Sequence, residues 1–192
     1  MPLSSVEAPY HSSTLQRYEQ GDILRDVDIV EWAERVGDQV EFLTRHLPYC
    51  VVVSQECDLE HDSTTRGNPE KNADKYLHSI LLCPAYPADQ LKAGQHLDES
   101  SLQMEPIDKS RWRKVEQNGD ARYHYLPEQQ QLQVPSLVID FKHYLTVPRD
   151  VLYRKEFLDR YIATVEILYR ELLSARFAQF LSRIGLPDFS SP

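Results

Sequence analysis

The fold is decided by Pro48-Tyr49-Cys50-Val51-Val52-Val53-Ser54-Gln55-Glu56-Cys57-Asp58-Leu59, in which an apolar run stops at a polar cluster. A continuous run of β-branched residues is typical of a strand buried on both faces. We therefore predict a central strand over residues 49–54. Polar residues at the end of such a strand are candidates for a binding site, because sites usually form at strand ends and loops. The candidates are Ser54, Gln55, Cys57 and Asp58.

The length and composition of the chain limit its class. A chain of 192 residues predicts about one domain, at roughly 100–200 residues per domain. The net charge of −9 disfavours broad nucleic-acid binding, which needs clustered Lys and Arg. No apolar run approaches the ~20 residues of a membrane span. Three cysteines cannot all pair within one chain, so a reduced, cytoplasmic setting is predicted.

The chain divides into three predicted segments. Residues 1–17 are polar without periodicity and predict a loose N-terminal arm. Residues 18–150 hold the apolar runs and predict the main domain. Residues 60–75 within it have no apolar side chain larger than alanine, which predicts a long solvated loop. Residues 151–187 predict a helix that packs on the main domain.

Five further segments of the main domain have the composition of strands. The first two are predicted to form a hairpin around Gly37-Asp38. The third is expected to lie beside the central strand and to end at two prolines, Pro84 and Pro87. The predicted strands are Ile23 to Trp32, Gln39 to Leu43, Tyr76 to Cys83, Arg122 to Leu126 and Ser136 to Phe141.

The C-terminal helix is predicted from apolar residues at helical spacing between about Glu156 and Ile184. Its apolar surface is wider than one stripe, because Leu173, Phe177 and Leu181 form a second row at i, i+4 spacing. A small domain covers one stripe of a helix, so we expect a partner or a second copy to cover this row. Phe177 and Leu181 are therefore candidate binding residues.

A compact basic patch surrounds a tryptophan at Arg111, Trp112 and Arg113. Basic and aromatic residues together bind single-stranded RNA through charge and stacking. A solvated face anchored by one buried Trp has the same composition. Both interpretations of these residues stay open.

Three motifs occur in a recognisable order: Gly21-Asp22-Ile23, the run Pro48 to Ser54, and Ile80 to Pro84. This order resembles the MazF/PemK family of toxin barrels over about residues 18–87. The resemblance implies an α+β fold: an SH3-like β-barrel, here with a C-terminal helical extension. Val51, Val53, Ile80 and Leu82 are expected to be buried in this one barrel. It also implies a bacterial protein that dimerises and binds single-stranded RNA.

The catalytic positions of that family are changed in this chain. Leu47 stands where the family has an Arg before proline, and Tyr86 stands where it has a Thr. Arg45 is the nearest substitute, on a loop predicted before the central strand, with His46 as general base near neutral pH. A fixed Arg stabilises the phosphorane charge of RNA cleavage, and losing one such donor typically costs 10²–10³ in rate. We therefore expect little or no ribonuclease activity.

The favoured function is a regulatory, protein-binding MazF-like subunit of a bacterial toxin–antitoxin or defence system. The resemblance implies as partner an antitoxin, a sigma factor or another protein of the same operon, or a second copy of the chain. An active single-stranded RNA endoribonuclease is the alternative.

A cysteine- or metal-dependent enzyme at Cys57 is a further alternative. As a nucleophile, Cys57 needs a base such as His61, His124 or His143. As a metal ligand it would join His61 with His78 or Cys83, but no CxxC pair supports zinc. A structural role is the other interpretation: Cys57 packs as a small apolar residue and Asp58 caps a loop turn. We predict no cofactor and no metal.

Overall fold

The computed structural model describes residues 9–68, 73–97 and 102–183, and shows an α+β fold. Its eight strands form one antiparallel sheet that curls into a half-barrel. The strands are β1 (Tyr10–His11), β2 (Asp22–Val36), β3 (Gln39–Val52), β4 (Ser79–Pro87), β5 (Tyr123–Leu126), β6 (Leu137–Asp140), β7 (Leu145–Pro148) and β8 (Tyr161–Val165).

The strand order in the sheet is β1-β8-β2-β3-β4-β6-β5, and β7 also pairs with β4. Short helices connect the strands, and the longest described helix follows β8. The helices are α1 (Glu56–Thr65), α2 (Ala88–Ala93), α3 (Lys109–Glu116), α4 (Arg149–Leu152), α5 (Lys155–Leu158) and α6 (Ile167–Leu181).

The predicted central strand is confirmed as the buried end of β3. It pairs with β4 through Val51 to Cys83 and Val52 to Leu82. Successive residues of β3 face opposite sides of the sheet, so Val51 and Val52 enter different core clusters. Val51, Val53, Ile80 and Leu82 are all buried, as expected. They do not share one interior, because the first two lie in one cluster and the last two in the other.

The predicted hairpin turn is also confirmed, but its strands are longer than expected. Gly37 has a φ of +64°, the conformation that a glycine adopts readily in a two-residue turn. β3 then runs without interruption from Gln39 to Val52, which joins two segments predicted as separate strands.

The solvated loop predicted over residues 60–75 is wrong for its first part. Residues 60–65 belong to α1, and Ala73–Lys75 form a 3₁₀ turn. The helix is held by Asp62, whose buried carboxylate accepts hydrogen bonds from Arg66 and Arg149. Because these contacts are polar, the sequence lacks the apolar periodicity that would indicate a helix. Residues 69–72 lie outside the described part of the chain.

Of the two prolines predicted to end the third strand, Pro84 lies within β4 and Pro87 is its last residue. Pro84 pairs with Cys50 of β3. On the other side of β4, β7 pairs as far as Leu82 and β6 begins at Ala85. Pro84 therefore lies at the junction of two ladders, where its missing N–H leaves no hydrogen bond unmade.

The predicted C-terminal helix over residues 156–184 is wrong for its first half. Residues 161–165 form β8, which pairs with β2 through Ile23 to Ala163. Tyr10 in turn pairs with Val165, so residues 10–11 join the sheet rather than a loose arm. Residues 1–8 and 184–187 lie outside the described residues. The C-terminal segment thus supplies a strand to the sheet and a helix that packs on it.

Candidate functional site

The polar cluster after β3 begins α1 instead of a loop. Ser54 accepts a hydrogen bond at its Oγ from the N–H of Leu81, at 2.8 Å, which ties the strand end to β4. Gln55 is the N-cap of α1, and it makes no side-chain capping bond. Cys57 and Asp58 are exposed on the first helical turn. The expectation that Cys57 packs as a small apolar residue and that Asp58 caps a loop turn is therefore wrong.

The three histidines proposed as bases for Cys57 lie in different places. His61 is exposed one turn further along α1. His124 is buried and accepts a hydrogen bond from Arg176, and burial together with that charge lowers its pKa to about 3. His143 pairs with Asp140, at 3.1 Å from Nδ1 to Oδ2. No group of three metal-ligating side chains occurs among the described residues.

Arg45 and His46 lie within β3, so their predicted placement on a loop is wrong. Adjacent residues of a strand point to opposite faces, so the two side chains do not converge on one phosphate. Arg45 forms an ion pair with Glu31, at 2.8 Å from Nε to Oε1. His46 lies 3.0 Å from Asp28 on the other face.

The basic patch on α3 is built around a covered indole ring. Trp112 is 8 % exposed, and the ammonium group of Lys92 lies over its ring at 5.2 Å. Arg111 pairs with Asp120, at 3.0 Å from Nε to Oδ2. Arg113 is exposed. Because the ring of Trp112 is covered, it cannot serve as a stacking platform for a base without rearrangement.

The expected second apolar face of the C-terminal helix is wrong for two of its three residues. Leu173 and Phe177 lie in the core, and the ring of Phe177 contacts that of Phe141 at 5.4 Å between centroids. Leu181 is 50 % exposed. The other exposed apolar residues of α6 lie off this row. They are Ile167, Leu168 and Leu172.

A feature that the sequence did not reveal is a two-stranded arm, formed by residues 28–36 of β2 and 39–46 of β3. β8 pairs with β2 through Leu24, and β4 pairs with β3 from Tyr49, so both outer edges of the arm lack a neighbouring strand in the described structure. Each strand extends roughly nine residues beyond the core, or about 30 Å. Six large apolar side chains on it are about half exposed or more: Val30, Trp32, Val36, Val40, Phe42 and Leu43.

The strand register sorts these side chains onto two faces of the arm. Cross-strand partners share a face, and Trp32 lies opposite Leu43 while Ala33 lies opposite Phe42. We call the first the Trp32 face and the second the Phe42 face. The Trp32 face carries Trp32, Glu34, Val36, Gln39, Glu41 and Leu43; the Phe42 face carries Val30, Ala33, Arg35, Val40 and Phe42.

A second unpredicted feature is a polar cleft of about 510 Å³ next to the start of β2. Its walls include Ser13, Arg17, Asp22, Ser63 and Thr164. Gly21 precedes this carboxyl with a φ of +90°, and a Cβ there would lie 3.0 Å from the Cβ of Val165. The glycine therefore allows β2 to approach β8 closely and to place Asp22 beside Thr164.

Asp22 is fully buried, and among the described residues it has no cationic hydrogen-bond partner. Its Oδ1 accepts a hydrogen bond from Thr164 at 2.7 Å, and its Oδ2 accepts one from the N–H of Glu19 at 2.7 Å. The hydroxyl of Tyr161 lies 2.8 Å from that of Thr164. Burial raises the pKa of Asp22 to about 7, against the lowering effect of its hydrogen bonds. The buried carboxyl therefore keeps its proton to a much higher pH than an exposed Asp does.

No known family profile, curated protein or solved structure matches this chain. Within the described residues, no helix is both long enough and apolar enough to cross a membrane.

Proposed function

We propose that this protein is a regulatory, protein-binding subunit and that the arm is its interaction surface. The observation that carries the proposal is the exposure of six large apolar side chains on a two-stranded ribbon. Soluble monomers rarely expose contiguous apolar patches without an interaction role. Trp32 and Phe42, which are 48 % and 63 % exposed, are of the residue types enriched at protein interfaces.

The energetics of the arm support this proposal. Fully burying a large apolar side chain is worth about 1.5–3 kcal/mol, so a half-exposed one forgoes about 1 kcal/mol. Six such residues together forgo several kcal/mol in the isolated chain. A two-stranded ribbon is also marginal in water by itself, and its open edges invite pairing with another chain. A bound protein would remove both costs.

The finer assignment belongs to the same proposal: a MazF/PemK-like, SH3-like barrel in a bacterial toxin–antitoxin or defence system. It is supported by the antiparallel pairing of β2, β3 and β4, which carry the three motifs of the resemblance. The engagement of Arg45 and His46 with carboxylates on opposite faces favours a binding role over RNA cleavage.

The proposal is tested by co-purification from the native host with paired variants. Trp32→Ser with Leu43→Ser removes apolar surface from the arm, and Leu168→Ser with Leu172→Ser removes comparable surface from α6. We expect a protein that co-purifies with the wild type and with the α6 variant to be lost with the arm variant. Circular dichroism should show that both variants keep the fold. Equal recovery with all three proteins would refute the arm as the interaction surface.

A further inference from the structure

We propose that the Trp32 face of the arm binds a basic, apolar segment of a partner protein, with a Lys or Arg side chain seated between Glu34 and Glu41. This inference rests on the proposed function and names the chemistry of the partner.

The hairpin register brings two glutamates together on the Trp32 face. Glu34 and Glu41 lie directly opposite each other in the hairpin. Directly opposed residues have Cβ atoms about 4.5–5.5 Å apart, and like charges there destabilise a hairpin. Both side chains are exposed, and neither forms an ion pair with another described residue. The pair therefore leaves two negative charges close together with no cation to balance them.

Apolar side chains surround the pair of glutamates. Trp32 and Leu43 flank it on the side of the core, and Val36 flanks it on the side of the turn. Lys and Arg side chains pack an aliphatic stem on apolar surface and keep the charged group at a polar edge. A long cation approaching this face would thus contact Trp32 with its stem and both carboxylates with its head. Arg45 lies on the same face two residues beyond Leu43, and its charge is already paired with Glu31.

A second copy of the chain and an RNA strand fit this face less well than a cationic segment does. A second copy packed through the same face brings two further glutamates against Glu34 and Glu41, so symmetric pairing adds repulsion instead of removing it. An RNA phosphate meets the same two negative charges. The chain as a whole carries a net charge of −9, which favours approach of a basic partner. A cationic, apolar segment is therefore the occupant that relieves both the exposed surface and the charge.

The test uses the fluorescence of Trp32 as a local probe. Trp112→Phe leaves Trp32 as the sole tryptophan of the chain. The probes are three short synthetic peptides in which Leu or Val alternates with Lys, with Gln or with Glu. We expect the Lys peptide to shift the Trp32 emission to the blue with saturable binding that weakens as salt is added. We expect the Gln peptide to bind at least tenfold more weakly and the Glu peptide not at all.

Variants separate the role of charge from that of the fold. Glu34→Gln with Glu41→Gln should weaken Lys-peptide binding about tenfold, whereas Glu171→Gln on the exposed surface of α6 should leave it unchanged. Glu34→Lys converts the opposed pair into an attractive one, so hydrogen exchange in the arm should slow while peptide binding is lost. Slower exchange with weaker binding cannot arise from unfolding of the arm.

Equal binding of the Lys and Gln peptides, or Lys-peptide binding insensitive to Glu34 and Glu41, would overturn this inference. A dimer seen by light scattering that dissociates with Trp32→Ser would overturn it in favour of a second copy, and a Trp32 shift with oligouridylate would do so in favour of RNA. If the arm-dependent co-purified protein survives Glu34→Gln with Glu41→Gln, the inference fails while the proposed function stands. If no protein depends on Trp32 and Leu43, the proposed function itself fails.

Discussion

Replacement of the buried carboxyl by an amide, Asp22→Asn, should change how stability depends on pH. The side chain is fully buried, and burial raises its pKa from an ordinary 3.8 to about 7. At 1.36 kcal/mol per pKa unit, this displacement corresponds to about 4 kcal/mol between the protonated and ionised forms.

The direction of the effect follows from proton binding. Between about pH 4 and pH 7 the folded protein keeps the Asp22 proton while the unfolded chain has lost it. Stability falls with pH wherever the folded state binds more protons. The contribution of Asp22 is therefore fully present below about pH 4 and is lost as pH rises through about 7. An asparagine does not titrate, so the variant lacks this decline.

The measurement is urea unfolding of both proteins between pH 4 and pH 8. We expect the free energy of unfolding of Asp22→Asn, relative to the wild type, to rise by about 4 kcal/mol across that range, with a plateau above pH 7. The amide also loses one acceptor for the N–H of Glu19, which lowers stability by a constant amount at every pH. The slope, and not the absolute value, is thus the relevant quantity.

Carboxylates with a lowered pKa, whose stabilising effect is lost in acid, do not affect this comparison. Asp140 is held in its charged form by Arg122 and His143, which lower its pKa despite burial, and the same group is present in both proteins. Asp38→Asn in the exposed hairpin turn is a matched control that should show the wild-type pH dependence. Parallel stability curves for Asp22→Asn and the wild type from pH 4 to pH 8 would refute the assignment of a raised pKa to Asp22.

Other substitutions test the packing of the helices and the state of the thiols. Phe177→Ala should lower the free energy of unfolding by about 3–5 kcal/mol, whereas Leu181→Ala should change it by less than about 0.5 kcal/mol, as measured by urea titration. Asp62→Ala leaves two arginines without their buried carboxylate and should cost about 3–5 kcal/mol in the same assay; a small loss would show that the network is dispensable. A thiol reagent should modify Cys57 in the folded protein and the other two cysteines after unfolding, so Cys57→Ser should abolish the reaction of the folded protein.

The sequence predicted those elements whose signal is local. The run ending at Val53 is apolar and closes with three consecutive β-branched valines, so its strand preference is local. Gly37-Asp38 likewise carries its turn preference within two residues. Both predictions agree with the structure, because neither depends on what packs against them.

The sequence failed where the neighbouring element decides the outcome. Tyr161, Ile162 and Val165 fit a helical spacing. However, residues 22–24 of β2 offer an open strand edge, and residues 161–165 pair with it and form β8. The arm was missed for a related reason. Alternating apolar and polar residues predict a half-buried strand, and the pattern does not reveal that no other part of the chain covers Trp32 or Phe42.

Stability and the proposed binding role are separated along a single pair of strands. Residues 22–24 of β2 are fully buried and pair with β8, and Ile23 and Leu24 also pair with β3. Residues 30–36 are exposed and pair with β3 alone. Burial of apolar surface is the main stabilising term, so the arm contributes little to folding while its base contributes much. Folding therefore places little constraint on the residues of the arm, and binding can determine which side chains occur there. An acidic pair such as Glu34 and Glu41 is compatible with the fold although it weakens the hairpin.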